Sequence, residues 1–291
     1  MSADADIRSD GRVPVGPSLS MFDPMFVGID EFGEPVYLDT VYRNLLVAGE
    51  PGGGKSGLLN NITATGALSE NTRLCLFDAK LVELGPWMDI ADEFVGPDIE
   101  HGLSVLRRLL TVATNRYRWL LAHRRRKLAR DDRMSVILVV IDELAMFSTV
   151  LGTKQQQEEF DSLLRGLVSL GRACGIPVVA ATQRPSFDII PTSLRDLFGY
   201  RAAFRCTTSN SSNIILGQGW AEQGYNANDI SPTNQGEALL IAEGGIPRRI
   251  KAAYLSDSDI YGIADYAACV RRPARITPTA RPGHTRLEEA A

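Results

Sequence analysis

Long apolar runs are missing from this sequence. None of its 291 residues belongs to a stretch near the about 20 consecutive apolar residues that a membrane helix needs. The opening residues, MSADADIRSDGR, carry charges where a secretion signal needs an apolar segment. A cytoplasmic protein is therefore expected, and attachment to a membrane would fall to a partner protein. Cysteine is scarce: Cys75, Cys174, Cys206 and Cys269 stand far apart with no CxxC spacing. Neither a zinc site nor a disulfide framework is indicated, and buried, reduced thiols are expected. Positive charge is in deficit as well, with 31 Lys and Arg against 35 Asp and Glu and a net charge of −4. A protein that coats nucleic acid by bulk charge is excluded, so any such contact must come from the placement of a few cations.

What is present is enough apolar material for a substantial core, 44% of the residues. Residues 25–39 suggest a hairpin with Gly33 in its turn. NLLVAG (44–49) is an apolar run that ends in glycine, and a helical stretch follows from Lys55 to about Leu68. Buried strands fit 74–80, 135–143, 176–183 and 200–206. Helices fit 101–128, 155–173 and 209–216, and a terminal hairpin fits 238–255 around Gly244 and Gly245. Strands alternating with helices imply a mostly parallel central sheet flanked by helices. Residues 1–24 are expected to form a flexible N-terminal segment, 25–265 one α/β domain, and 266–291 a flexible C-terminal tail.

Gly49-Glu50-Pro51-Gly52-Gly53-Gly54-Lys55-Ser56 satisfies GxxxxGK[ST] without a gap. Average residue usage would produce such a match by chance on the order of 0.01 times in a chain of this length. Glycines at these positions let successive backbone N–H groups turn toward phosphates, and the dipole of the following helix adds positive potential. Lys55 is expected to reach the β and γ phosphates of ATP, and the Ser56 hydroxyl to ligate Mg2+. Gly57 continues the phosphate-binding turn into the helix.

Val139-Val140-Ile141-Asp142-Glu143 sets two carboxylates at the C-terminal end of a buried strand, the edge where open α/β sheets bind ligands. Asp142 is expected to hold the metal ion through its water shell, and Glu143 to polarise the attacking water as general base. The sequence has neither a glycine shortly after Asp142 nor an NKxD-type motif, which argues against a GTPase. Gln183 ends the next strand and is expected beside the γ phosphate, with a plain strand-end cap as the alternative reading. Phosphoryl transfer also calls for a mobile positive charge, supplied in ring ATPases by the neighbouring subunit. Arg172 is the candidate, with Arg201 and Arg205 as alternatives. The chain thus reads as a RecA-like P-loop NTPase.

Together, NLLVAGEPGGGKSG, FDAKLVEL (77–84), VVIDELAMF (139–147), GRACGIPVVAATQRPSFDII (171–190) and NIILGQGWAE (213–222) resemble the FtsK/SpoIIIE family of DNA translocases, in that family's own order. The resemblance covers about residues 26–255. It implies a RecA-like motor, hexameric rings around double-stranded DNA and ATP-driven translocation. It supports the roles given to Lys55, Ser56, Asp142, Glu143 and Gln183, and matches Arg172 to the arginine of the family's GRxxG segment. Asp78 and Lys80 match its DxK segment, with a structural or ring-contact role. Flanks of about 25 and 36 residues differ from the chromosome-segregating members, which carry a membrane region, a linker and a winged helix. What remains resembles the short Tra transfer proteins of actinobacterial conjugative plasmids and integrating elements.

The leading expectation is therefore a double-stranded DNA translocase for conjugative transfer. Chromosome partitioning, a secretion or coupling ATPase acting on protein substrates, and a nucleotide-binding regulator are the alternatives. For DNA contact, Thr149–Gln155 with Lys154 and the segment Arg184–Arg195 are expected as mobile loops facing a ring axis. The basic stretch His123–Lys127 with Arg130 is the competing location.

Overall fold

The computed structural model describes residues 19–271. In chain order its elements are β1 (Met25–Asp30), β2 (Pro35–Leu38), β3 (Leu45–Ala48), α1 (Lys55–Ala67), β4 (Thr72–Phe77), β5 (Glu93–Val95), α2 (Ile99–Ala122) and β6 (Val136–Ile141). Then follow α3 (Lys154–Gly171), β7 (Val178–Thr182), α4 (Thr192–Arg195), β8 (Tyr200–Phe204), α5 (Ser209–Leu216), β9 (Glu237–Ala242), β10 (Arg248–Ala252) and α6 (Asp257–Arg271). The strands form one sheet in the order β2-β1-β10-β9-β8-β3-β7-β6-β4-β5. From β8 to β5 every pairing is parallel. The other four strands extend the sheet as an antiparallel arm.

Residue pattern explains the division. β3, β6 and β7 are buried at every position, as strands covered on both faces must be, and they are continuous apolar runs. β2 alternates buried and exposed residues, which suits a strand covered on one face only. On one face Phe77, Phe147 and Phe160 cluster under α2 and α3, and α5 joins the same core. On the other, Leu59, Ile62 and Trp87 pack with Ile260 and Ala264 of α6. No helix among the described residues is long and apolar enough to cross a membrane.

Several expectations change. The helix expected over 101–128 stops at Ala122, where Arg124 enters the left-handed region at φ 54°. The hairpin β9–β10 is not terminal, since α6 follows and runs to Arg271, past the expected boundary at 265. Its signal was available: the Ser256 hydroxyl accepts from the Asp259 N–H while the Asp259 carboxylate accepts from the Ser256 N–H, an S-x-x-D capping box. At the other end Leu19 already pairs with Ser69 and Met21 is buried, so order begins before residue 25. The rest of the two expected flexible ends lies outside the described residues. Three cysteines are buried as expected, and burial pushes the Cys174 thiol up to about 11 and Cys206 up to about 12. Cys269 is exposed instead.

One buried charge ties the layers together. Arg116 of α2 is 1% exposed and donates to the carbonyls of Cys174 at 2.9 Å, Gly175 at 3.3 Å and Ser135 at 2.8 Å. Burial pushes its guanidinium down to about 10, still charged at neutral pH. Charge-assisted bonds of this kind contribute about 1.5–3 kcal/mol each, and their loss would leave carbonyls unpaired under α2. Arg116→Met is expected to lower unfolding stability by about 3 kcal/mol. A urea midpoint unchanged from the parent would show that the three bonds contribute little.

Candidate nucleotide site at the strand ends

β3 ends at Ala48, the loop Gly49–Gly54 turns, and α1 begins at Lys55, so the expected strand, loop and helix are contiguous. Two of the glycines are required by backbone conformation, Gly52 at φ 77° and Gly54 at φ 102°. Close approach adds a second requirement. A Cβ on Gly54 would lie 2.4 Å from the Gly236 nitrogen, and one on Gly49 would lie 2.5 Å from Cβ of Phe204. The loop is thus wedged between the end of β8 and the start of β9. The Gly236 N–H donates to the Gly53 carbonyl at 2.8 Å, and the Glu50 N–H donates to Arg205 at 2.9 Å. Pro51 is exposed at the tip, and Ser56 and Gly57 lie in the first turn of α1.

Lys55 and Asp142 come together from these neighbouring elements. The Lys55 ammonium donates to Asp142 Oδ1 at 2.7 Å and to the Asp142 carbonyl at 3.0 Å, with the two side chains 3% and 1% exposed. Asp142 Oδ2 is buried and has no hydrogen-bond partner among the described residues, an arrangement suited to a cation or its bound water. With Ser56 on the adjacent helical turn, the residues fit the expected Mg2+, which when bound supplies neutralisation of phosphate charge. Among the described residues no cluster of three or more His, Cys, Asp or Glu could hold a metal by itself. Any ion here would share its coordination with phosphate and water.

Glu143 sits one residue on and turns toward β7. Its Oε1 accepts from the Thr182 hydroxyl at 2.7 Å, and its Oε2 accepts from the Gln183 N–H at 2.9 Å. Thr182 was not singled out from the sequence, because a threonine ending an apolar strand looks like a strand residue. Only the β6–β7 pairing brings it beside Glu143. Gln183 directly follows β7, and its backbone N–H, rather than its side chain, meets the candidate base. Asp78 is structural: its carboxylate accepts from the N–H groups of Lys80, Leu81 and Leu84, which organises the turn after β4. Lys80 is exposed on that turn.

The candidate arginines separate clearly. Arg172 donates to the Tyr42 carbonyl at 3.0 Å and to Glu243 at 3.0 Å. Tyr42 precedes β3 and Glu243 follows β9, so Arg172 occupies the sheet edge opposite its own phosphate loop. At about 3.3 Å per residue, roughly 15–20 Å separates the two edges. There Arg172 borders a cavity of about 390 Å³ with Arg43, Lys127 and Tyr42. Arg205 is tied to Glu50 of its own phosphate loop at 2.5 Å. Arg201 is half-buried, which lowers its pKa, and its Nε has no hydrogen-bond partner among the described residues.

Two expected loops are more ordered than the sequence suggests. The segment after β6 forms a π-helical turn, Met146–Val150, and Thr153 caps α3, leaving Lys154 exposed on its first turn. Arg195 corrects an expectation: it ends α4, is 7% exposed and pairs with Asp196 at 2.8 Å, so it cannot track a ligand from a mobile loop. Arg184 remains exposed. In the basic stretch, Arg125 pairs with Asp131 and Asp132, Lys127 lies over the Tyr42 ring, and Arg130 pairs with Asp23. Much of that charge is thereby neutralised within the chain.

A phosphate loop leading into the first turn of a helix, a buried Lys–Asp pair and a glutamate one residue beyond that aspartate define a P-loop nucleoside-triphosphatase of the RecA-like kind. Within that class the chain belongs to the FtsK/SpoIIIE family, whose model matches residues 20–216. DNA translocase FtsK of Corynebacterium efficiens is 30% identical over 302 residues, covering 94% of this chain and 30% of that protein. DNA translocase FtsK of Haemophilus influenzae is 29% identical, over 83% of this chain and 51% of its own length. The chain therefore spans between about a third and a half of these curated relatives. Among solved structures, the pCW3 conjugation coupling protein TcpA in its monomer form with ATPγS superposes with a TM-score of 0.73 at 21% identity, over 90% of this chain and 76% of that one. ATPases 2 and 3 of EssC from Geobacillus thermodenitrificans give 0.71 at 13% identity, over 90% and 52%. Both likenesses concern the fold.

The division of labour between Lys55 and Glu143 is testable. Lys55→Ala is expected to abolish ATP binding, whereas Glu143→Gln keeps ATP affinity and lowers turnover by about 10²–10⁴. Calorimetric titration beside a phosphate-release assay separates the two, and equal loss of binding in both variants would refute the assignment.

Proposed function

We propose that this chain is an ATP-hydrolysing motor domain that moves double-stranded DNA, acts as a ring of copies, and serves transfer of a conjugative plasmid or integrative element. The position of Arg172 carries the shared-site part of this reading. It is partly exposed, on the sheet edge opposite its own Gly49–Ser56 loop, so a phosphate that it serves belongs to another copy. A head-to-tail contact between unlike edges is the kind that closes into rings. The hydrolytic part rests on Glu143, whose carboxylate is fixed by Thr182 and Gln183 one residue from Asp142. Support for DNA as the substrate comes from the relatives named DNA translocases, about 30% identical across most of this chain. The conjugative role draws support from the fold shared with the conjugation coupling protein TcpA.

In the ring, Arg172→Ala is expected to leave ATP affinity nearly intact and to cut turnover by about 10³. Mixing these subunits with Glu143→Gln subunits should restore partial activity at interfaces that regain a complete site; no recovery at any ratio would rule out a shared site. For DNA, Lys154 and Arg184 are the exposed cations beyond the catalytic strands. Replacing both by alanine is expected to reduce stimulation of ATPase by linear duplex DNA and to flatten the salt dependence of DNA binding. Undiminished stimulation, or its loss only on substitution of Arg124 and Arg126, would move the DNA path to the basic stretch. Absence of any duplex stimulation in the parent would favour a protein substrate.

A further inference from the structure

The phosphate loop and its acidic partners account for the triphosphate half of a nucleotide, and leave the base without an assigned seat. Sheet order gives the direction in which the base must lie. Asp142 and Glu143 follow β6, on one side of β3, and mark where the γ phosphate reacts. β8, β9 and β10 lie on the other side of β3. A triphosphate that begins at Asp142 and crosses the loop toward Gly57 therefore leads its nucleoside away from β6, toward the β9–β10 end.

At that end the antiparallel hairpin is hydrogen-bonded to the loop, and the residue after it approaches α1. Gly236, just before β9, is bonded to Gly53 and blocks any side chain at Gly54. The Ala253 carbonyl, just after β10, is 3.7 Å from where a Cβ on Gly57 would sit. The next residue is Tyr254, which is 79% exposed. A singly exposed aromatic residue is ordinary on a protein surface. This one directly follows the residue whose carbonyl approaches the first turn of α1, on the side of the loop away from Asp142.

We propose that Tyr254 is the base-stacking platform of the site, its ring packing on the nucleobase of a nucleoside triphosphate whose phosphates lie on Gly49–Ser56. The inference rests on that phosphate-site reading and adds the ligand's other half. Lys251 cannot serve in its place without leaving the Gln235 carbonyl, to which its ammonium donates. An aromatic face accepts any base, so the platform supplies affinity for the nucleoside without a hydrogen-bond code. Because Tyr254 contributes little to the core, its substitution leaves the fold and the phosphate loop intact.

The test compares two Mg2+-bound probes, ATP and inorganic tripolyphosphate, by calorimetric titration of the full chain. Tyr254→Ala is expected to weaken ATP by about tenfold or more, the size of one lost base–aromatic stack, and to leave tripolyphosphate within about twofold of the parent. Tyr254→Phe, which keeps the ring, is expected to bind both probes as the parent does. ATP affinity unchanged in Tyr254→Ala, or equal loss of both probes, overturns the assignment. A parent that binds neither probe, or a Lys55→Ala variant that binds tripolyphosphate normally, would instead overturn the phosphate-site reading beneath it.

Discussion

Lys55 and Asp142 are enclosed together at 3% and 1% exposure, where an unpaired charge costs several kcal/mol. Each is therefore the condition for burying the other, and their elements inherit the constraint. The turn that starts α1, just after β3, must deliver an ammonium to the end of β6, with β7 packed between the two strands. The same pair explains why the site is poised for phosphate and metal. Lys55 also donates to the Asp142 carbonyl, and Asp142 keeps one oxygen without a partner among the described residues. Chemistry that offers Lys55 an anion and Asp142 a cation can replace the pair without stranding either charge.

Glycine in the phosphate loop serves two masters. The conformations at Gly52 and Gly54 suit amides that converge on an anion, but Gly54 also admits Gly236 from the antiparallel arm and Gly49 admits Phe204 from β8. The arm is thereby part of the nucleotide site as well as an extension of the sheet. A loop backed on both flanks keeps its shape before a ligand arrives, which favours binding by sparing the entropy of ordering.

The two edges of the sheet have separate tasks. The phosphate loop, Asp142 and Glu143 gather where the parallel strands end, and Arg172 lies where they begin. Arg116 links α2 to the turn that carries Arg172 by gripping Cys174 and Gly175, so the far edge is as firmly built as the near one. The proposed service of Arg172 to another copy would start from this braced position.

By itself the sequence determined the strand–loop–helix around Lys55, the carboxylates at Asp142 and Glu143, and most of the elements. These signals are local: glycine conformation, continuous apolar runs and helical spacing are written in adjacent residues. It did not reveal β5, because three residues are too few to show a period. Packing alone decided the rest. Thr182 becomes a partner of Glu143 only through strand pairing, and Arg195 is withdrawn into a contact with Asp196 that no spacing announces. Arg205 closes on Glu50, and Arg172 is carried to the edge opposite its own loop. Each of these outcomes depends on which strand lies beside which, and that order is fixed by burying two faces of one sheet at once rather than by any residue's neighbours in the chain.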